Sequence, residues 1–315
     1  MKVIGQSGRE DLALVYIAET PDGNALEFVE ALQPPLPREK KWVLIVSTLF
    51  GCPVKCTICD AGYFYRGKLS KEEILSQIDY LVDRRYPCRR IEVEKFKIQF
   101  ARMGDPSLNE SVLDVLEELP VRYDAPGLLP CLPTIAPRKT DAFFERLLDI
   151  KTRLYTDRFQ LQFSIHTTDE VLRDRIMPVP KWTYAEIARY GERFYQNGGK
   201  KIALNFALEK NAAIDPEVLT QYFDPARFII KITPLNPTYS VALNEYHSFI
   251  DPLQPSQAAG LVERLRQAGF EVILSIGEVD ENRLGSNCGQ LVLNHLRAEE
   301  KISGAYASVE SLPSQ

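Results

Sequence analysis

Three cysteines, Cys52, Cys56 and Cys59, form a C-x3-C-x2-C triplet in a chain of 315 residues that has six cysteines in all. Three thiolates at this spacing can each take one iron of a cubane 4Fe-4S cluster and leave the fourth iron open. A protein that only relays electrons supplies four cysteines. An open iron instead suits chelation by the amino and carboxylate groups of S-adenosylmethionine (SAM), whose sulfonium bond an electron from the cluster would break to give methionine and a 5'-deoxyadenosyl radical. Such chemistry calls for an external electron donor such as flavodoxin or ferredoxin. The rival is structural zinc, which wants a fourth Cys or His close by. None stands near the triplet, and His166 is far along the chain.

These thiols need a scaffold. Trp42–Val46 is an apolar run suited to a buried parallel strand, and it leads directly into the cysteine loop. Beyond it, strand-like runs at 96–101, 127–132, 159–165, 201–207, 227–233 and 270–275 alternate with helical patterns at 70–84, 109–119, 139–150, 183–197, 215–222 and 255–268. That alternation predicts an α/β fold, a parallel sheet wrapped by helices, as a barrel or as a doubly wound sheet. Residues 1–32 read as extended, with a hairpin turn at Pro21-Asp22-Gly23-Asn24. The organisation expected is an N-terminal β extension over 1–40, a core over 41–300 and a tail over 301–315.

Polar groups at predicted strand ends are the next candidates. Gly104 and Asp105 follow the second core strand, where Gly104 would let a ligand approach the backbone and Asp105 could take an ammonium group. Ser164 and His166 share one side of a later strand, and Asn236 lies beyond another. Cys288 sits in Gly285-Ser286-Asn287-Cys288-Gly289, where the glycines argue for a presented thiol; Cys88 and Cys131 have no such context.

Net charge is −5, which weighs against a protein that grips nucleic acid by its phosphates. No apolar run approaches the roughly 20 residues of a membrane span, and no signal peptide is visible, so the cytoplasm is the expected location and a membrane is not an expected partner.

In this order the fragments resemble the RlmN and Cfr family of radical-SAM adenosine methylases. The resemblance rests on the cysteine triplet, Met103-Gly104-Asp105-Pro106 in place of the family's Met-Gly-Glu-Pro, Ser164-Ile165-His166, Leu172–Pro178, Pro234-Leu235-Asn236-Pro237 and Cys288-Gly289-Gln290-Leu291. It implies a partial (β/α)6 radical-SAM barrel with a small N-terminal β-hairpin extension, with SAM contacted by Gly104, Asp105, Ser164, Ile165, His166 and Asn236, and with Thr134 the candidate for one further contact. It also implies that Cys288 takes a methyl group from one SAM. A radical made from a second SAM then removes a hydrogen from that methyl, and the resulting carbon radical adds to an sp2 carbon. Glu27 is the candidate base for the substrate carbon.

Two departures shift the expected substrate. The family's resolving cysteine is replaced by Ile45, which cannot do thiol exchange, so Cys88, Cys131 or an external thiol would have to serve, or the reaction ends differently. Only about 40 residues precede the core strand, too few for the family's RNA-binding accessory domain. With the acidic charge, this favours methyl transfer to a small-molecule or protein substrate over RNA. RNA methylation through Arg84, Arg85, Arg89 and Arg90, and a non-methylating outcome, are the alternatives, although such an arginine run is more often a solvated face.

Overall fold

The chain opens as an antiparallel meander of β1 (Lys2–Arg9), β2 (Ala13–Glu19) and β3 (Ala25–Ala31). This is a computed structural model, and it describes residues 1–196, 198–287, 293, 297, 310 and 311. The predicted turn closes β2 onto β3, with the Thr20 N–H donating to the Asn24 carbonyl at 2.9 Å. Sequence reading gives this stretch a hairpin; β1 makes it three strands.

The core strands are β4 (Trp42–Ile45), a short ribbon of β5 (Leu49–Phe50) and β6 (Gly67–Lys68), then β7 (Phe96–Gln99), β8 (Leu128–Thr134), β9 (Gln160–Ser164), β10 (Ile202–Leu208), β11 (Phe228–Pro234) and β12 (Glu271–Leu274). A last short strand, β13 (Glu310–Ser311), lies antiparallel on β1. In the main sheet, β4, β7, β8, β9, β10, β11 and β12 are parallel and neighbour one another in chain order. A doubly wound sheet reverses its order at a switch point, whereas a barrel adds each strand beside the last. The order here is that of a barrel. It stays open, because the far edge of β4 is taken by β3 and not by β12. The α/β partial barrel is therefore as expected, with seven parallel strands in place of six.

The helices are α1 (Lys71–Arg85), α2 (Ser111–Arg122), α3 (Asp141–Ile150), α4 (Glu170–Ile176), α5 (Tyr184–Phe194), α6 (Pro216–Tyr222), α7 (Tyr239–Leu243), α8 (Ala259–Gln267) and α9 (Val279–Leu284). Local chemistry fixes several starts. Ser70 with Glu73 and Thr183 with Glu186 form capping boxes, each satisfying two otherwise orphaned donors at the starts of α1 and α5. The helical pattern misses α4, α7 and α9, which are one to two turns long and too short to show a period.

Alternation along the strands separates two faces. Trp42, Leu44, Phe96, Ile98, Phe228 and Ile230 are fully buried against the helices. Their neighbours Val43, Ile45, Lys97, Gln99 and Lys231 are only half buried and occupy the opposite, inner face. Glu30 joins the meander to the barrel: its buried carboxylate accepts from Tyr16 Oη at 2.9 Å, Trp42 Nε1 at 3.1 Å and Arg85 Nη2 at 2.7 Å. Among the described residues, no helix is long and apolar enough to cross a membrane.

Candidate active site

The cysteine loop hangs between β5 and β6, whose pairing of Leu49 with Lys68 closes its base. Cys52 is buried, Cys56 and Cys59 partly so, against Val54, Ala61, Ile135, Ile176 and Met177. Burial pushes the Cys52 thiol up to about 12 and the Cys56 thiol well above its ordinary value, and the neighbouring thiols push in the same direction. Three thiols this close resist ionising together, which is the electrostatic setting a cationic iron core relieves. Among the described residues, no three His, Cys, Asp or Glu side chains converge as ligands of a single ion. A cubane asks each thiolate to reach a different iron. The triplet fits a cluster.

A residue that sequence reading passes over locks this loop. Asp60, fully buried directly after Cys59, accepts from the Tyr239 and Ser240 N–H groups at 3.1 and 2.8 Å and from Ser240 Oγ at 2.8 Å. Thr238 Oγ1 donates to the Ile58 carbonyl at 3.2 Å. The start of α7 thereby clamps the cysteine loop and holds Asn236, whose carbonyl accepts from the Thr238 N–H at 2.9 Å, at the same end of the barrel.

Gly104 has φ +95°, and a Cβ there would lie 2.4 Å from Leu49 Cγ, so only glycine lets this turn close on β5. Asp105 and Thr134 differ from their expected roles. The Asp105 carboxylate accepts from the Ser107 N–H (3.0 Å), Ser107 Oγ (2.7 Å), Thr134 Oγ1 (2.8 Å) and the Ile135 N–H (2.8 Å). Four donors fill a carboxylate's lone-pair sites, so Asp105 ties the end of β7 to the end of β8 rather than offering itself to an ammonium group. Thr134 Oγ1, spent on Asp105, also accepts from the Ala136 N–H at 2.9 Å. The short Asp side chain in place of Glu is the physical reason: it stays against the backbone that bears it.

Ser164 ends β9 on the inner face, level with Asn205 on β10. Ile165 is fully buried, its N–H donating to the Asn205 carbonyl at 2.9 Å. His166, at φ +65°, accepts the Ala207 N–H on Nδ1 at 3.2 Å. Burial, and then the nearby Arg173 charge, push its pKa down to about 4. The ring is therefore neutral with its proton on Nε2, a fixed donor. Asn205 was not anticipated. It is over nine-tenths buried, and its Oδ1 has no partner among the described residues. A buried unsatisfied acceptor beside Ser164 is what a ligand N–H or O–H would complete, so this end of the barrel fits SAM as well as a cluster. Its signal was an isolated Asn in the apolar run Ile202–Leu208.

Glu27, on β3, is fully buried and pairs with Arg102, Nε to Oε1 3.1 Å. Arg102 Nη1 and Nη2 donate to the Ser286 and Gly285 carbonyls at 2.8 and 2.7 Å. Arg102 was also missed, although it directly precedes the recognised Met103-Gly104 motif. Cys288 itself lies outside the described residues. Ile45 faces inward, opposite Val29 and level with Gln99. Cys131, level with Gln99 on the next strand, is buried about 10 Å from position 45, two strand spacings away. Cys88 is exposed and precedes β7, at the end of the barrel away from the cysteine loop.

The arginine run is no open basic patch. Arg84 lies over the rings of Tyr16 and Tyr80, Arg85 pairs with Glu30 and Glu10, Arg89 with Asp83, and Arg90 with Glu92.

Three relatives illustrate what the chain is similar to. A probable RNA methyltransferase of Thiobacillus denitrificans is 27 % identical over 90 % of this chain and 70 % of its own length. A dual-specificity RNA methyltransferase RlmN of Vesicomyosocius okutanii is 24 % identical over 96 % and 80 %. A probable enzyme of the same name from Thermosipho melanesiensis is 28 % identical over 74 % and 66 %. No family model matches. The crystal structure of a radical SAM methyltransferase from Sphaerobacter thermophilus superposes with TM-score 0.72 at 18 % identity, over 92 % of this chain and 81 % of that one, which shows the shared fold. These names correct one expectation: a small-molecule or protein substrate in preference to RNA does not hold, since the relatives are named for RNA. Net charge misled because it sums the whole surface and is blind to where charges sit. The relatives' names and the shared fold support a radical-SAM methyltransferase of the RlmN and Cfr type, a family whose cofactors are a 4Fe-4S cluster and SAM.

Proposed function

We propose that this protein methylates an sp2 carbon of an RNA base, with Cys288 as methyl carrier and Glu27 as the base that removes the substrate proton. The relatives' names support RNA as substrate. The observation that carries the residue assignment is the Arg102 bridge. One guanidinium holds the Glu27 carboxylate and two successive carbonyls, Gly285 and Ser286, at the threshold of the Cys288 segment. Arg suits this task because its planar fork can hold a carboxylate and two carbonyls at once, which an ammonium on a flexible stem cannot.

When bound, the cluster and SAM supply the methyl group and the radical. Cys52, Cys56 and Cys59 would hold the cluster. Ser164, His166 Nε2–H, Asn205 and Asn236 would contact SAM, and Gly104 would let it approach the backbone. Asp105 and Thr134 position the adjoining turn. Glu27, buried beside Arg102, would accept the substrate proton.

The test is anaerobic reconstitution with methyl-deuterated SAM, a reductant and transcribed ribosomal and transfer RNA, followed by mass analysis of nucleosides and of the Cys288 peptide. Wild type is expected to place a labelled methyl on an RNA base and on Cys288. Cys288→Ala is expected to yield no methylated base. Arg102→Lys is expected to lower methylation about tenfold or more, as misplacement of a reacting group by an ångström does. Production of 5'-deoxyadenosine by wild type with no labelled nucleoside would end the RNA reading.

A further inference from the structure

The inner face of the barrel carries a group of charges that the chemistry above does not use. Lys41 stands just before β4 and Lys95 just before β7, level with each other because Trp42 pairs with Phe96. Lys97 is one inner-face position further along β7, level with Val43, and Lys231 occupies the inner face of β11. All four are half buried. Strand parity puts them on the face that holds Ile45 and Gln99; Lys41, Lys95 and Lys97 lie towards the N-terminal ends of their strands, and Lys231, midway along β11, pairs with Asn205.

We propose that Lys41, Lys95, Lys97 and Lys231 form a phosphate-binding site on the inner face of the barrel.

Among the described residues, none of the four is in an ion pair. Lys41 donates to the Gln33 side-chain oxygen, a neutral partner. Burial lowers the pKa of Lys41 to about 8 and lowers those of Lys95 and Lys231. The remaining large influences on them are mutual: Lys97 on all three, and Lys231 and Lys95 on Lys41. The facing groups of other sign are few. Glu281 on α9 acts on Lys41, and the Cys131 thiol acts on Lys95 and Lys231; Lys200 adds a further positive charge beside Lys95. Four ammonium groups gathered in a half-buried space with one carboxylate near by repel one another, and folding tolerates this where a ligand supplies the missing negative charge. Lysine is a compact point charge suited to phosphate oxygens, and several of them suit a group with more than one negative charge. Either a phosphodiester of an RNA strand or a free phosphate ester would serve. The site goes beyond the methylation reading and stands without it, since it needs neither Cys288 nor SAM cleavage.

The experiment measures binding of inorganic pyrophosphate, and separately of a ten-nucleotide single-stranded RNA, to the reconstituted holoenzyme by calorimetry, for wild type and for Lys97→Met/Lys231→Met. Methionine keeps the stems and removes two repelling charges, so the variant's melting temperature should equal or exceed that of wild type, which separates loss of binding from loss of fold. Both probes are expected to bind wild type and to lose at least tenfold in affinity in the variant. For RNA, the slope of log affinity against log salt should shrink by about 1.4, two contacts at 0.7 each. If only pyrophosphate is lost, the site stands and its source is a free phosphate ester. If wild type binds neither probe, or the variant binds both as tightly as wild type, the site is refuted, whatever the outcome of the methylation assay.

Discussion

The two ends of the barrel interior treat charge in opposite ways. At the C-terminal ends of the strands, two buried carboxylates are surrounded by the chain's own donors: Asp60 by Tyr239 and Ser240, Asp105 by Ser107, Thr134 and Ile135. His166 is kept neutral there, and the thiols are kept protonated until a metal arrives. Towards the N-terminal ends, Lys41, Lys95 and Lys97 gather with Lys231 of β11 on the inner face, and no carboxylate is paired with any of them among the described residues. The first end is preorganised by hydrogen bonds that occupy the Asp60 and Asp105 carboxylates. The second holds charge that the fold itself does not use.

The largest expected effect separates the ends. Cys56→Ala should lower 5'-deoxyadenosine formation by about a thousandfold or more, since a cluster with two protein ligands does not persist, while pyrophosphate binding stays within twofold of wild type. Loss of both together would mean that the two ends are one cooperative site. A smaller effect sharpens the contrast from the neutral side. The folded pKa of His166, near 4, lies below the unfolded value of 6.5, so between those values the unfolded chain binds a proton that the native state does not. Stability should therefore fall as pH drops from 6.5 towards 4, by about 3 kcal/mol in all. Urea titrations of wild type and His166→Gln over that range should show a shallower slope in the variant. The smallest effect concerns the exposed arginines. Arg84→Gln/Arg90→Gln should change RNA affinity less than twofold, because one charge already covers aromatic rings and the other is already paired. A tenfold loss would shift RNA binding from the interior to that surface.

The contrast also explains what the sequence could and could not reveal. Strands and long helices were legible because apolar residues repeat at period two or 3.6 over enough residues to register, and the cysteine triplet was legible because all three ligands share one short loop. Arg84, Arg85, Arg89 and Arg90 looked like a patch because they are neighbours in the chain, but folding brings Glu10, Glu30, Asp83 and Glu92 to them. Lys41, Lys95, Lys97 and Lys231 looked unrelated because their meeting depends on strand parity and register. Asn205 and Arg102 were missed for the same reason, each needing a partner distant in sequence. Asp105 was recognised by its motif and assigned a ligand role, while its one-carbon-shorter side chain keeps it on Ser107, Thr134 and Ile135.

The continuity of β3 with β4 has a practical consequence for anyone shortening the chain. Val29, Glu30 and Ala31 pair with Ile45, Leu44 and Val43, so cutting away the meander would strip the barrel's first strand of its ladder on one side and remove the Glu30 carboxylate from beneath Arg85 and Trp42. The exposed edge would be a ready template for another copy of itself. A shortened protein would thus be expected to fail first as a sticky solid in the tube, before any question of catalysis could be asked of it.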